Sequence, residues 1–428
     1  LRAFISLYIA NFFLVGGMGL LTTYLALYLG QQNVSTLWIG ALTGLYYLGL
    51  LFGAKVGYFL IKSVGHIRSF AACTAAVTAC VSLHGVIDNL YIWLALRLVV
   101  GIGMMCNFMI LESWLNEQAS HEQRGRVFSV YMITSYLGTV VGQLVLSQFP
   151  ELGYAPLFLV CFVVSVGIVP IALTRRIHPK PLKPLQVGLF SYFKTVPQSL
   201  TAMAFAGIIN GSFYGLAPVF ASKAGFDAHG IALFMSVSII AGLLAQWPMG
   251  ALSDKVRRSL LLRFNALALL LICSLFMMNN LSQAHMLALT FLFGTFAFTL
   301  YPLASALANS RVTDDERVGV SAALLVVFGA GAGVGSVALA QVMTLFGHQA
   351  LYGAIAILCA MMFAVLMLIN SRQNAERMAH SDYVVSASDV TQSPLAATLD
   401  PRIEEDIAQE QLFVTEVAEP EEIGPPKN

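Results

Sequence analysis

Residues 242–255 read Gly242-Leu-Leu-Ala-Gln246-Trp247-Pro248-Met-Gly250-Ala-Leu-Ser-Asp254-Lys255, and residues 49–62 read Gly49-Leu-Leu-Phe-Gly53-Ala-Lys55-Val-Gly57-Tyr-Phe-Leu-Ile61-Lys62. Each is a largely apolar run that ends on a lysine, and the two stand 193 positions apart. Sliding the chain against itself by that distance also sets Gly101, Asn116, Arg124, Gly138 and Gly142 on Gly294, Asn309, Arg317, Gly331 and Gly335. Glycine and leucine recur by chance in any apolar sequence, but lysine, asparagine and arginine at matching positions do so rarely. The chain therefore reads as two parallel copies of one unit.

Around these stretches lie long apolar runs, at residues 3–29, 37–61, 67–87, 90–115, 126–148 and 154–174, and again at 196–221, 230–252, 259–279, 285–308, 318–345 and 348–370. A helix of about 20 mostly apolar residues crosses a hydrocarbon layer of about 30 Å, so each run is long enough to span a membrane. The chain is 58% hydrophobic and 11% charged, where soluble domains are about 25% charged. The expected fold is an all-α membrane protein of twelve transmembrane helices in two pseudo-symmetric six-helix bundles. Leu1 to Leu29 lacks a small-residue cleavage site and reads as a retained first helix rather than a signal peptide.

Charge sets the orientation, because cytoplasmic loops retain lysine and arginine. The loops near Lys62 and Arg68, near Arg124 and Arg126, near Lys255, Arg257 and Arg258, and near Arg311 and Arg317 are basic, whereas the alternate loops hold only Lys223. Both termini are expected in the cytoplasm of a bacterial cell, with the chain in its inner membrane. The boundaries follow: an N-terminal bundle at 1–174, a basic linker at 175–195, a C-terminal bundle at 196–370 and a tail at 371–428. The linker holds Arg175, Arg176, Lys180, Lys183 and Lys194 among three prolines. The tail carries 12 acidic against 4 basic residues. Its composition predicts a solvated, largely disordered segment, with a short helix allowed near Ile403–Val417.

The loop Gly250-Ala-Leu-Ser-Asp254-Lys255-Val-Arg257-Arg258 resembles the signature of the major facilitator superfamily at its inter-helix cytoplasmic loop. The resemblance implies the major facilitator fold and a latch for one state of a rocking cycle. Gly57, Lys62, Asn116, Asn309, Arg124 and Arg317 join it as the latch residues of the two halves, although Ile61 stands where the second half has Asp254. Arg97-Leu-Val-Val-Gly101-Ile-Gly103 is similar to the family element R-x-x-x-G-x-G, whose arginine is associated with proton coupling. Gly211-Ser-Phe-Tyr214-Gly, Ala245-Gln246-Trp247-Pro248 and Phe298-Thr-Leu-Tyr301-Pro302 resemble the uncharacterised YcaD-like branch of the family, as do Leu111-Glu112-Ser113 and Arg124-Gly-Arg126.

A charge at the centre of a membrane helix costs about 2.5 to 3.5 kcal/mol on insertion scales, so embedded charges mark candidate sites. Lys55, Arg97 and Glu112 are read as embedded. Lys55 and Glu112 lie at comparable depth and are expected to pair, while Glu112 is the candidate proton carrier. His84 sits near the predicted outer surface and reads as solvated. In this fold the first, fourth, seventh and tenth helices line the cavity, which implicates Asn11, Asn107, Asn210, Tyr214, Tyr301 and Asn309 in the substrate path, with Gln246 beside them; the matching repeat positions of Asn116 and Asn309 favour the loop role for Asn309.

The sequence contains no nucleophile with its base and no metal-ligand spacing. Its six cysteines lie in apolar runs without a C-x-x-C pair. The expectation is a monomeric secondary transporter without cofactor or metal, and not an enzyme or a nucleic-acid binder. It would move a small organic solute through a largely apolar cavity by alternating access coupled to protons. Uptake of an anionic metabolite and export of amphipathic compounds both fit, and a receptor or scaffold is the reading outside transport.

Overall fold

The computed structural model describes residues 4–118, 124–149, 151–173, 189–278, 281–312 and 316–381; the side chains of 116–118, 124, 125, 189–191, 317, 318 and 372–381 lie outside that description. Twelve of its helices are long and apolar enough to cross a membrane: Ile5–Gln31, Thr36–Val64, His66–His84, Leu90–Leu115, Arg126–Leu146 and Ala155–Ala172, then Pro197–Lys223, Ala228–Lys255, Arg258–Phe276, Gln283–Asn309, Gly319–Phe346 and Ala350–Ser371. They are called here the first to twelfth spans. Most of the linker and nearly all of the acidic tail fall outside the described residues. A short helix, Leu189–Thr195, precedes the seventh span, and the last helix runs from Ala350 to Ser381. By compactness the chain divides into residues 1–367 and 368–428.

Lys62, Arg68, Lys255, Arg257 and Arg311 fall at one end of the bundle, the basic end, where the second span meets the third, the eighth meets the ninth and the tenth ends. The opposite end holds the turns between the first and second, third and fourth, and seventh and eighth spans.

Apolar side chains gain little by leaving lipid for protein, so helices in a membrane associate where small residues let backbones approach. The repeated glycines mark those places in both halves. A Cβ on Gly138 of the fifth span would meet the carbonyl oxygen of Phe12 at 2.6 Å, and one on its repeat mate Gly331 would meet that of Ala204 at 2.5 Å. The first and fifth spans and the seventh and eleventh are thus joined alike. Gly101 and its mate Gly294 likewise press the fourth span on Tyr46 of the second and the tenth on Ser238 of the eighth. The two six-helix bundles are related copies in structure as in sequence.

Gly49 and Gly101 face each other so closely that a Cβ on either would lie 2.9 Å from the other's Cα. Backbone cannot move aside as a side chain can. Gly101→Val is expected to cost at least the 1–3 kcal/mol or so of an overpacked core, read as a lowered melting temperature and lost monodisperse protein in detergent.

The tenth span is interrupted, running as Gln283–Ala297 and then Leu300–Asn309. Pro302 offers no N–H to the carbonyl four residues earlier and its ring crowds it, which breaks the helix at Phe298 and Thr299. Side chains bond to the backbone around the break, in keeping with the need to satisfy polar groups in hydrocarbon. Asn265 Nδ2 donates to Phe296 O at 3.2 Å and to Thr299 Oγ1 at 2.9 Å, and Thr299 Oγ1 donates to Thr295 O at 3.0 Å.

Candidate functional site

The break opens onto a cavity of about 580 Å³ between the two halves, bounded by Met132 and Tyr136 of the fifth span, Asn210 and Tyr214 of the seventh, Gln246 of the eighth, Phe328 of the eleventh, and Phe298, Tyr301, Pro302, Ser305, Ala306 and Asn309 of the tenth. Four residues expected in a substrate path, Asn210, Tyr214, Gln246 and Tyr301, meet here. Because Asn309 ends its span at the basic end, the cavity reaches from mid-bundle toward that end. Its walls are neutral and aromatic: the Tyr301 and Phe328 rings stand perpendicular at 5.2 Å, and Tyr214 leans on Phe298 at 5.6 Å. Buried Asn210 Oδ1 has no hydrogen-bond partner, an acceptor left for a bound molecule.

Gln246 Nε2 donates to the Tyr136 hydroxyl at 2.6 Å, joining the eighth span to the fifth across the two halves. Hydrogen bonds between membrane helices are worth about 0.6 kcal/mol on average and at most about 1.7. A double-mutant cycle of Gln246→Leu and Tyr136→Phe, read by thermal unfolding in detergent, is expected to return a coupling energy in that range.

Asn11 and Asn107 are not in the cavity. Asn11 Nδ2 reaches Ser135 Oγ at 2.8 Å and Thr134 Oγ1 at 3.2 Å, tying the first span to the fifth, and Asn107 Nδ2 reaches Thr74 Oγ1 at 3.1 Å, tying the fourth to the third. Depth along a helix does not say which way a side chain points, and these two point at neighbouring helices. Asn309, a candidate for the cavity for which a latch role was favoured, does line the cavity. Tyr136 and Met132 were not anticipated, because the fifth span was not among those expected to line it.

The pairing of Lys55 with Glu112 is not formed. Lys55 is exposed, one turn past Leu51, which packs on Gly329 of the eleventh span. Glu112 is accessible and its Oε1 accepts a hydrogen bond from the Tyr131 hydroxyl at 3.3 Å. Among the described residues Glu112 and Asp254 are the only acids within the twelve spans, and Asp254 lies one residue from the end of its own. A further charge, Arg263, sits inside the ninth span and turns back toward Ser259 O at 3.1 Å, as a snorkelling cation does.

Arg97 is 1% exposed. One guanidinium nitrogen, Nη2, donates to Thr22 Oγ1 at 3.4 Å, and the group lies 4.8 Å above the Tyr46 ring. Its Nε and Nη1 have no partner. Thr22 and Tyr46 belong to the wall of a second compartment of about 130 Å³, together with Thr23, Thr43, Tyr47, Gln143 and Tyr214. Tyr214 bounds both spaces. His84 is buried rather than solvated: its Nδ1 lies 2.7 Å from Cys80 O, and Trp93 covers its ring at 5.2 Å.

Beyond this compartment the bundle is shut. Gly40 and Gly44 of the second span bring its backbone against Ser336, Ala340 and Gly333 of the eleventh, and Gly215 of the seventh packs on Thr43. At the basic end the contrast is plain. Among the described residues nothing lies within 4 Å of a Cβ on Gly250, Asp254 is 76% exposed with Arg258 3.7 Å away, and Arg258 Nη1 also donates to Ala306 O at 2.9 Å. Lys62, Lys255 and Arg257 are exposed, Gly57 packs near Cys106 and Met109, and Ile61 is buried where its counterpart Asp254 is not. The side chains of Asn116, Arg124 and Arg317 lie outside the described residues.

The chain matches the family model described as Major Facilitator Superfamily over residues 7–284 and 199–383. It is 31% identical over 365 residues to the "Uncharacterized MFS-type transporter YcaD" of Escherichia coli O6:K15:H31 (strain 536 / UPEC), covering 85% of this chain and 94% of that protein. Among solved structures it is similar to the nucleoside transporter NupG, with a TM-score of 0.75 at 14% identity over 86% of this chain and 99% of that one. It is also similar to a bacterial homolog of the human lysosomal transporter Spinster in an inward-facing, occupied conformation, with a TM-score of 0.70 at 15% identity over 86% of this chain and 96% of that one.

Proposed function

The chain belongs to the major facilitator superfamily and is a multi-pass membrane transporter, and we propose that it works by alternating access, carrying a small organic solute through the central cavity in exchange for or together with protons. The observation that carries this reading is the cavity itself. It lies between two repeated halves, beside a broken helix, accessible toward one end and closed at the other by backbone contact. Discontinuous helices at the interface of repeats are where membrane transporters hold their substrates.

With the basic end in the cytoplasm of a bacterial inner membrane, by the charge rule, this state is the inward-open one. Tyr136, Tyr214, Tyr301, Phe298 and Phe328 suit a planar apolar body, and Asn210, Gln246 and Ser305 suit hydrogen-bonding groups on it. Glu112, accessible and paired only through a neutral hydroxyl, is the proton carrier. A receptor would have no use for a latch motif exposed at Asp254.

Counterflow tests the reading. Purified protein is screened for compounds that raise its melting temperature, and vesicles loaded with such a compound are diluted into its labelled form. Transient accumulation of label, absent from protein-free vesicles, is expected. Stabilisation by the compound without any counterflow would favour a receptor.

A further inference from the structure

Arg97 is a buried cation with no carboxylate paired to it among the described residues. In its own half the acids with described side chains are Asp88 and Glu151, which lie outside the spans, and Glu112, which lies 15 residues along the same helix, about 22 Å away at 1.5 Å per residue. A charge left unpaired in a membrane protein's interior is costly. Burial here is nonetheless nearly complete, and the hydroxyl of Thr22 and the face of Tyr46 are weak substitutes for a counter-ion.

Other unsatisfied groups gather around the same space. Thr23 Oγ1 and Gln143 Oε1, both in residues that bound the 130 Å³ compartment, are buried without hydrogen-bond partners among the described residues, as are Nε and Nη1 of Arg97, which stands directly behind the wall residues Thr22 and Tyr46. Buried polar atoms are rarely left so unless something is to occupy them. An arginine fork matches the planar geometry of a carboxylate, and such charge-assisted bonds are about twice as strong as neutral ones. Hydroxyl donors such as Thr22 and Thr23 can complete the shell of an anion. The volume of about 130 Å³ admits a carboxylate head group.

We infer that this compartment is the subsite for the carboxylate of an organic monoanion, with Arg97 as its counter-ion and the neutral aromatic cavity as the place for the rest of the molecule. The two spaces meet at Tyr214, so an acid bound across them would lie with its body on one side of that ring and its charge on the other. This assignment rests on the transport reading above only for its consequence, translocation; the binding claim stands on the compartment.

The test uses the full chain in detergent with benzoate, 3-phenylpropionate and indole-3-acetate as probes, each beside its primary amide, which keeps the shape and lacks the charge. Calorimetric affinities are expected to favour each acid over its amide by about thirty-fold or more, the cost of leaving a buried charge unpaired. Arg97→Gln should bring acid and amide to parity. Arg97→Lys, which keeps the charge without the planar fork, should keep the preference at an affinity about ten-fold lower, and it serves if Arg97→Gln does not fold. Equal binding of acids and amides by the wild type, an undiminished preference in Arg97→Gln, affinity unchanged in Arg97→Lys, or no binding of any of the six probes overturns the subsite. Counterflow separates this failure from that of transport. Movement of amides and acids alike would leave the transporter reading intact, whereas Arg97-dependent acid binding without movement would leave only the subsite.

Discussion

Vesicles carrying Glu112→Gln should equilibrate solute across the membrane yet fail to concentrate it when a pH difference is imposed. A difference of one pH unit is worth about 1.4 kcal/mol per proton, which for one coupled proton supports about ten-fold accumulation. The wild type should approach that ratio and the variant should stay at one. Glutamine keeps the shape of the side chain and its contact with the Tyr131 hydroxyl, now 3.3 Å from the carboxylate, but it has no site for an exchangeable proton. Counterflow, which needs no net proton movement, should survive in the variant and so shows that it is folded. Full ten-fold accumulation by Glu112→Gln would remove this residue from the coupling path.

The second large effect is expected at the closed end. A Cβ on Gly44 would stand 2.8 Å from Gly333 O and 3.0 Å from Val337 Cγ2, so Gly44→Leu cannot be seated without parting the second and eleventh spans. A penalty of about 1–3 kcal/mol against the sealed arrangement changes the ratio of the two states by about five- to 150-fold. A cysteine placed at Thr43, which is 4% exposed in this state, reports the change through its reaction with a membrane-impermeant thiol reagent added at that end. The rate should rise by a factor in this range when Gly44→Leu is added. Five of the native cysteines are buried and Cys161 is half-buried, so the background is low. An unchanged rate would mean that these helices do not form the seal.

The fold was legible because it follows from length and repetition. Twelve apolar runs and glycines recurring 193 residues apart determine the number of helices and their repetition, and Gly101 and Gly294 occupy matching helix contacts in the two halves. The site was only partly legible. Counting residues gives depth along a helix but not its rotation within the bundle, and Lys55 and Glu112, level in depth, turn to different neighbours. The same lack of rotational information placed Asn11 and Asn107 in a cavity they do not line. Tyr214 and Tyr301 were found because they sit in helices that border the cavity and beside the break at Pro302. The compartment beneath Arg97 had no signal in the sequence, since Thr22, Tyr46 and Gln143 come from three helices whose approach only the folded chain shows.

The seal at the end opposite the cavity's mouth is made largely of main chain. Gly40, Gly44 and Gly333 set the backbones of the second and eleventh spans against each other beside the small side chains of Ala340 and Val337, and Gly215 packs on Thr43. A plug of side chains can flicker open as a rotamer flips, on a picosecond to nanosecond scale, but whole helices separate only by collective motion over microseconds to milliseconds. Unproductive leakage of protons or solute should therefore be tied to turnover. A membrane full of idle copies would hold its ion gradient as tightly as one with none.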